Sequence, residues 1–290
     1  MPILVCGSLA FDTIMTFEGR FADQILPDQL HILNVSFLVP GLRRDYGGCA
    51  GNIAYGLRLL GSDVVPLAAI GSDGADYLER MRGLGVDTRH IVTVPDAYTA
   101  QAMIMTDRDN NQITAFHPGA MSFAHQNPVP ARADLSLGIV APDGREAMIS
   151  HAAQLHAAGI PFVFDPGQGL PMFNGDELRR FIAQASWVAV NDYEGRMLCD
   201  RTGLSLADIS AQVRGLIVTL GEHGCDVWEG GAAARVAGTA ATAVVDPTGC
   251  GDAFRAALLH GLSQGWPLQR CAQLGNRMGA LKIAVRGPQN

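Results

Sequence analysis

The run Asp246-Pro-Thr-Gly-Cys-Gly-Asp252-Ala-Phe, followed by an amphipathic stretch over 255–262, is the part of the chain best equipped for chemistry. A glycine turn leads straight into a predicted helix. The first N–H groups of a helix have no intrahelical partner, and the helix dipole favours negative charge at that end. A phosphate can therefore rest on the backbone of Gly249, Cys250 and Gly251. Asp252 stands in the same first turn. A carboxylate beside a phosphate site is repelled unless it has a chemical role, and taking the proton from an attacking hydroxyl is such a role. The pattern suits a plain capping aspartate after a glycine turn equally well, and the local sequence leaves both open. A dinucleotide site fits poorly, because the G-x-G at Gly249 and Gly251 is followed at position 254 by Phe254 and not by a third glycine.

The elements that must position this turn are legible as alternating strands and helices. Residues 3–7 read as a buried strand ending in glycine. Residues 48–61 read as a glycine loop opening a helix, with Ile53, Leu57 and Leu60 at helical spacing and Gly61 as its stop. A strand over 64–70 and a helix over 76–83 follow. Further strands are expected over 138–141, 161–165, 187–191 and 216–220, with helices over 146–158 and 177–183 and between 191 and 214. A hairpin is expected over 226–236, and two helices from 251 to about 282. Such alternation predicts a mainly parallel sheet with helices on both faces. Residues 13–46 and 98–116 break the rhythm. The first segment has no clean helical period and carries Pro27 and Pro40. The second reads as a hairpin around a turn-rich stretch over 107–111. We expect these two to form a small β lid, with 1–12, 47–97 and 117–290 making one large α/β domain. A lid of this kind closes over substrate and excludes water.

Composition excludes several functions. Net charge is −7 with no basic block, which argues against a nucleic-acid footprint. Cys6, Cys49, Cys199, Cys225, Cys250 and Cys271 are scattered without a C-x-x-C pair, so neither a zinc site nor a disulfide framework is offered; a reducing, cytoplasmic setting is expected. No stretch reaches the roughly 18–20 apolar residues of a membrane span. Lys282 is the single lysine, so neither a Walker A loop nor the strand lysine of a protein kinase can be built.

Asp246-x-Thr-Gly-x-Gly-Asp252-Ala-Phe resembles the C-terminal signature of the ribokinase-like (PfkB) carbohydrate and nucleoside kinases. Gly47-Gly48-Cys-Ala-Gly-Asn52 is similar to their N-terminal signature. Gly71-Ser-Asp73 with Gly85-Val86-Asp87, Asn191-Asp-Tyr-Glu194 and Val218-Thr219-Leu-Gly221-Glu-His-Gly224 fall between them in family order. The resemblance spans essentially the whole chain. It implies a three-layer α/β/α domain with a small β-sheet lid, and a kinase using ATP and Mg²⁺. Asp252 would be the catalytic base, and Gly249, Cys250 and Gly251 the anion hole. Asn191 and Glu194 would organise Mg²⁺ through its waters, since this ion uses few carboxylates. Thr219, Gly221, Gly224 and Asn276 would flank the nucleotide. Asp246 and Thr248 match positions that hold a monovalent cation such as K⁺ in many relatives, where the ion is optional. Asp12, which resembles the family aspartate at the end of the first strand, would bind the sugar hydroxyls together with Gly47, Gly48 and Asn52. Without the resemblance, Asp12 and Asn191 also suit strand-end turns, and Asn52 a polar helix start.

Position 49 is Cys49 where many sugar kinases of the family carry lysine. The wording around 31–37 and 115–119 resembles bacterial adenosine and nucleoside kinases. A nucleoside base needs an apolar slot with aromatic stacking, and Phe116, then Phe37, are the expected base contacts. Aromatics in a small sheet also serve as its own core. The reading is phosphorylation of a purine nucleoside, adenosine first and then inosine or guanosine, at its 5′-hydroxyl, by a monomer or homodimer. A sugar kinase of the same fold and a non-catalytic ligand-binding protein are the alternatives.

Overall fold

The computed structural model describes residues 1–25, 34–109 and 111–290. Positions 31–33 of the stretch that resembles nucleoside kinases, and Asn110 in the hairpin turn, lie outside them.

The strand β1 (Ile3–Cys6) is apolar at every position because both of its faces are covered. Ile3 and Val5 enter one core, Leu4 and Cys6 the other. Period-2 alternation thus splits a continuous apolar run between two helix layers. On the first face lie α2 (Cys49–Leu59), α3 (Ala75–Gly83), α8 (Cys250–Ser263) and α9 (Leu268–Lys282). On the second lie α4 (Arg145–Ala157), α5 (Gly175–Gln184), α6 (Asp192–Thr202) and α7 (Leu206–Gln212).

Between the layers runs a nine-stranded sheet. Parallel pairing joins β5 (Ile91–Val94), β4 (Val64–Gly71), β1, β8 (Leu137–Val140), β9 (Phe162–Phe164), β10 (Trp187–Asn191) and β11 (Gly215–Thr219), in that spatial order. An antiparallel hairpin, β12 (Cys225–Glu229) and β13 (Ala232–Val236), finishes the edge beyond β11. The chain builds outward from β1 in both directions. The carboxyl ends of parallel strands at such a switch point form a crevice suited to ligands.

A second, four-stranded sheet has the order β3 (Gly41–Gly47), β2 (Ala10–Thr16), β6 (Ala100–Thr106) and β7 (Gln112–His117). The β2–β6 pair is parallel and the flanking pairs antiparallel. The first of these strands begins at Ala10. Asp12 therefore belongs to the second sheet and not to the end of β1, as its resemblance to the family aspartate had implied. The strand β5 was not among the expected strands: Ile91-Val-Thr-Val is β-branched throughout but only four residues long, with Val92 and Thr93 exposed at a sheet edge. Beyond its C-terminal end, β2 is followed by the short helix α1 (Phe21–Gln24), whose Phe21 packs with Phe17 and Phe37.

Candidate active site

The two sheets enclose a cleft of about 1690 Å³, larger than a single small-ligand pocket needs. Its floor is the carboxyl end of the main sheet. Ser8, Asp143 and Asp165 follow β1, β8 and β9, while Asn191 and Thr219 end β10 and β11, and all line the cleft. Its roof is one face of the small sheet. There Asp12, Ala102 and Phe116 form a cross-strand row, with Ile104 and Thr114 in the next.

At the centre, two helices meet. On α2, Asn52 and Gly56 are four residues apart; on α8, Asp252 and Ala256 are four apart, so each pair shares a helix face. A Cβ at Gly56 would stand 2.7 Å from the Ala256 Cβ. The missing side chain lets the helices close until Asn52 Nδ2 donates to Asp252 Oδ2 at 2.8 Å. Two residues 200 positions apart in sequence thus join at one point.

Asp252 is carried up to about 7, first by burial. The Asn52 hydrogen bond, the Arg255 charge and the Cys49 thiol work against that rise, while Asp165 adds to it. A carboxylate near neutrality is suited to accept a proton at physiological pH. Cys49 is itself pushed up, by burial and then by the Asp252 charge, which keeps it a thiol.

The turn before α8 places Gly249 at φ 80°, the left-handed region open to glycine. Cys250 N–H is donated to Pro247 O at 3.2 Å, and Ala253 N–H is the first intrahelical donor recorded, to Gly249 O at 2.9 Å. The N–H groups of Gly251 and Asp252 stand between them in the first turn, before the intrahelical ladder begins. Gly249, Cys250, Gly251, Asp252 and Thr248 all line the cleft. Of the expected anion hole, the Cys250 N–H is the one already occupied. Asp246 lies below the turn, its carboxylate accepting from the Thr248 and Gly287 N–H groups at 2.9 Å each.

Asn191 and Glu194 form a reciprocal capping box at the start of α6, each side chain bonded to the other's backbone N–H at 2.8 Å. Glu194 is raised by burial first and then by Asp165, with Arg255 opposing. Among the described residues, no three His, Cys, Asp or Glu side chains stand close enough to hold a metal. The donor set fits an ion such as Mg²⁺ that keeps its waters and draws on phosphate oxygens and a single carboxylate.

Thr219, Gly221, Gly224 and Asn276 line the other end of the cleft. Asn276 Nδ2 donates to Ala237 O at 2.9 Å, tying α9 to the end of β13. Asp12 lines the cleft from the small sheet and is raised to about 6, by burial and then by Asp45 and Asp246. Gly48 lines the cleft and Gly47 packs behind it against Asp12. Phe116 projects into the cleft and is 52% exposed. Phe37 does not join it: its ring centroid lies 5.0 Å from Phe17 and 5.2 Å from Phe21. That aromatic cluster forms the core of the small sheet's far end, the alternative use of such residues.

Four residues escaped the sequence reading. Arg255, on the buried face of α8, makes two bonds of 3.1 Å to Asp165, one of 3.2 Å to Ala189 O, and approaches Glu194 at 3.9 Å. Its signal was a charge on an otherwise apolar helix face. Asp165 lies at a strand end 90 positions away in sequence, and only the fold pairs them. Gln289 is 3% exposed and donates to Asn52 Oδ1 at 3.1 Å and to Tyr77 Oη at 2.6 Å. Its donation fixes the Asn52 amide so that its NH₂ faces Asp252. A further buried carboxyl, Asp143, is raised to about 8 by burial.

The model of the pfkB family of carbohydrate kinases matches residues 14–290. The structure of the nucleoside kinase of Burkholderia thailandensis in complex with inosine superposes with a TM-score of 0.89 at 51% identity, covering 99% of this chain and 92% of that one. The same enzyme in complex with ADP-inosine gives 0.86 at 52% identity, covering 99% and 90%. The nucleoside kinase of Methanocaldococcus jannaschii, an archaeal member of the ribokinase family, gives 0.90 at 27% identity, covering 100% and 94%. In sequence it is 28% identical over 258 residues, 88% of this chain and 85% of its own. The three-layer α/β/α architecture with its second small sheet is that of these relatives.

Proposed function

The chain belongs to the pfkB family of carbohydrate kinases and is a phosphotransferase acting on an alcohol group; from that premise we propose that it transfers the γ-phosphoryl group of ATP to the 5′-hydroxyl of a purine nucleoside. The observation that carries the reading is the Asn52–Asp252 contact at the mouth of the α8 turn. It puts a base of suitable strength beside unpaired backbone donors, in a cleft large enough for two substrates. The relative solved in complex with inosine and with ADP-inosine supports the nucleoside acceptor and favours inosine among the expected purine nucleosides as readily as adenosine.

In this reading the sugar lies over Asp12, Gly48 and Asn52, with Gly47 shaping the loop behind them. The base meets Phe116 on the roof, beside Ala102, Ile104 and Met121. Nucleotide occupies the end lined by Thr219, Gly221, Gly224 and Asn276. Asp252 accepts the 5′-hydroxyl proton as that oxygen forms its bond to the γ-phosphorus and the bond to the β–γ bridging oxygen breaks, releasing ADP. The Gly251 and Asp252 N–H groups hold the charge on the transferring group. Mg²⁺, held through water by Glu194 with Asn191 orienting that carboxylate, would supply charge neutralisation on the outer phosphates. The small sheet acts as a lid that keeps water from the phosphoryl group. We place this activity in the cytoplasm.

The test is ATP-dependent phosphorylation of adenosine, inosine, guanosine, cytidine, ribose and fructose in one panel, with Asp252→Ala as control. Turnover of purine nucleosides, abolished in the control, is expected. Turnover of ribose or fructose alone would keep the transfer chemistry and overturn the nucleoside assignment.

A further inference from the structure

We infer that the ammonium group of Lys282 fills the place of the monovalent cation beneath the anion-hole turn, so that this kinase works without K⁺. Lys282 is the only lysine in the chain and ends α9, 7% exposed. A buried lysine normally pairs with a carboxylate. This one has no carboxylate within ion-pair distance among the described residues. Its Nζ instead donates to two backbone carbonyls, Val285 O at 3.1 Å and Asp246 O at 3.4 Å.

Carbonyl oxygens contributed by two loops are the ligands a bare K⁺ takes, and an ammonium ion resembles K⁺ in size and charge. The two loops are the ones that matter for transfer. One carries Asp246 and Thr248 into the Gly249–Asp252 turn. The other runs from Lys282 to Gln289, and its Gly287 N–H is donated to Asp246 Oδ2 at 2.9 Å. Pro288 packs against Gly249, whose absent Cβ would stand 2.8 Å from the proline Cβ. The backbone of Val245 and Asp246 is further pinned by N–H donation to Ile283 O at 2.8 and 3.1 Å. The cation thus sits where it holds the underside of the turn in shape, and the Asp246 carboxylate is already satisfied by backbone donors. A free ion would need the same carbonyl oxygens that Lys282 occupies. Being tethered, the ammonium is present at any salt composition.

The inference rests on the kinase reading for its activity assay, but its thermal assay needs no substrate, so the two can fail separately. Melting temperature and turnover are measured for wild type and Lys282→Ala in potassium chloride and in tetramethylammonium chloride at equal ionic strength. Wild type is expected to be indifferent to the salt in both readouts. Lys282→Ala opens the site: its Tm rises specifically in potassium, as binding to the folded state requires. Its turnover falls about tenfold or more in tetramethylammonium and recovers in potassium, by the same linkage. Potassium-stimulated turnover or stability in wild type would overturn the inference, as would a folded Lys282→Ala indifferent to potassium. Should Lys282→Ala fold in neither salt, the wild-type comparison decides by itself.

Discussion

Replacing Asp252 with asparagine should make the protein more stable and nearly inactive at once, with the stability gain appearing only above acid pH. Burial carries the carboxyl from its ordinary 3.8 to about 7. The native state then binds a proton more tightly than the unfolded chain. Its stability is therefore fully present below about pH 4 and is lost as pH rises through about 7. At 1.36 kcal/mol per pKa unit the full span is worth about 4 kcal/mol. Water in the cleft reaches the carboxylate and returns part of this, leaving roughly 1–3 kcal/mol. Asparagine has nearly the same shape, still accepts the Asn52 Nδ2 bond through its carbonyl oxygen, and carries no charge. The variant should melt roughly 5 °C above wild type at pH 8, at roughly 2–4 °C per kcal/mol for a domain of this order. The difference should vanish near pH 4. Turnover should fall about 10²- to 10⁴-fold, the usual worth of a general base. Melting curves of both proteins between pH 4 and 9, with turnover at pH 8, check this. A variant that melts below wild type at pH 8, or one that keeps near-normal turnover, would refute the reasoning.

Gln289→Leu removes the donor that orients the Asn52 amide. The pH–rate profile should shift alkaline, with kcat/KM down about tenfold at neutral pH and largely recovered in alkaline buffer, the size of one hydrogen bond to a charged group. Gly56→Val overpacks the α2–α8 contact and should cost about 1–3 kcal/mol in denaturant unfolding, with a loss of kcat as Asn52 is drawn from Asp252. Phe116→Ala should raise KM for nucleosides about tenfold through lost stacking, with little change in Tm, whereas Phe37→Ala should lower Tm and leave KM alone. Asp165→Asn takes from buried Arg255 its bidentate partner, leaving only the longer approach of Glu194, and should destabilise by about 3 kcal/mol in the same unfolding assay.

How much of this was written in the sequence depends on how far each signal extends along the chain. The α8 turn was legible because its chemistry is local: Gly249, Gly251 and Asp252 are neighbours, and a glycine turn opening a helix has one physical consequence. The alternating strands were legible for the same reason, down to the apolar run of β1. Asn52 could be placed at the start of a helix, but its partner could not be read, since the contact depends on Gly56 and Ala256 letting two distant helices touch. The Arg255–Asp165 pair and the reach of Gln289 to Asn52 are tertiary facts with no periodic trace. Phe37 was read as the second base contact after Phe116 because composition does not distinguish the cleft face of a small sheet from its packed end. Asp12 was placed one strand early because the break between β1 and β2 is only three residues, Gly7 to Leu9.

The most direct test of the central claim is the structure of the product formed from inosine and ATP. Phosphorus NMR of the reaction mixture should show a new monophosphate resonance split into a triplet by the two 5′ protons, growing one-for-one with ADP. A doublet, from transfer to the 2′- or 3′-hydroxyl, or ADP formed with no nucleotide product, would contradict the account.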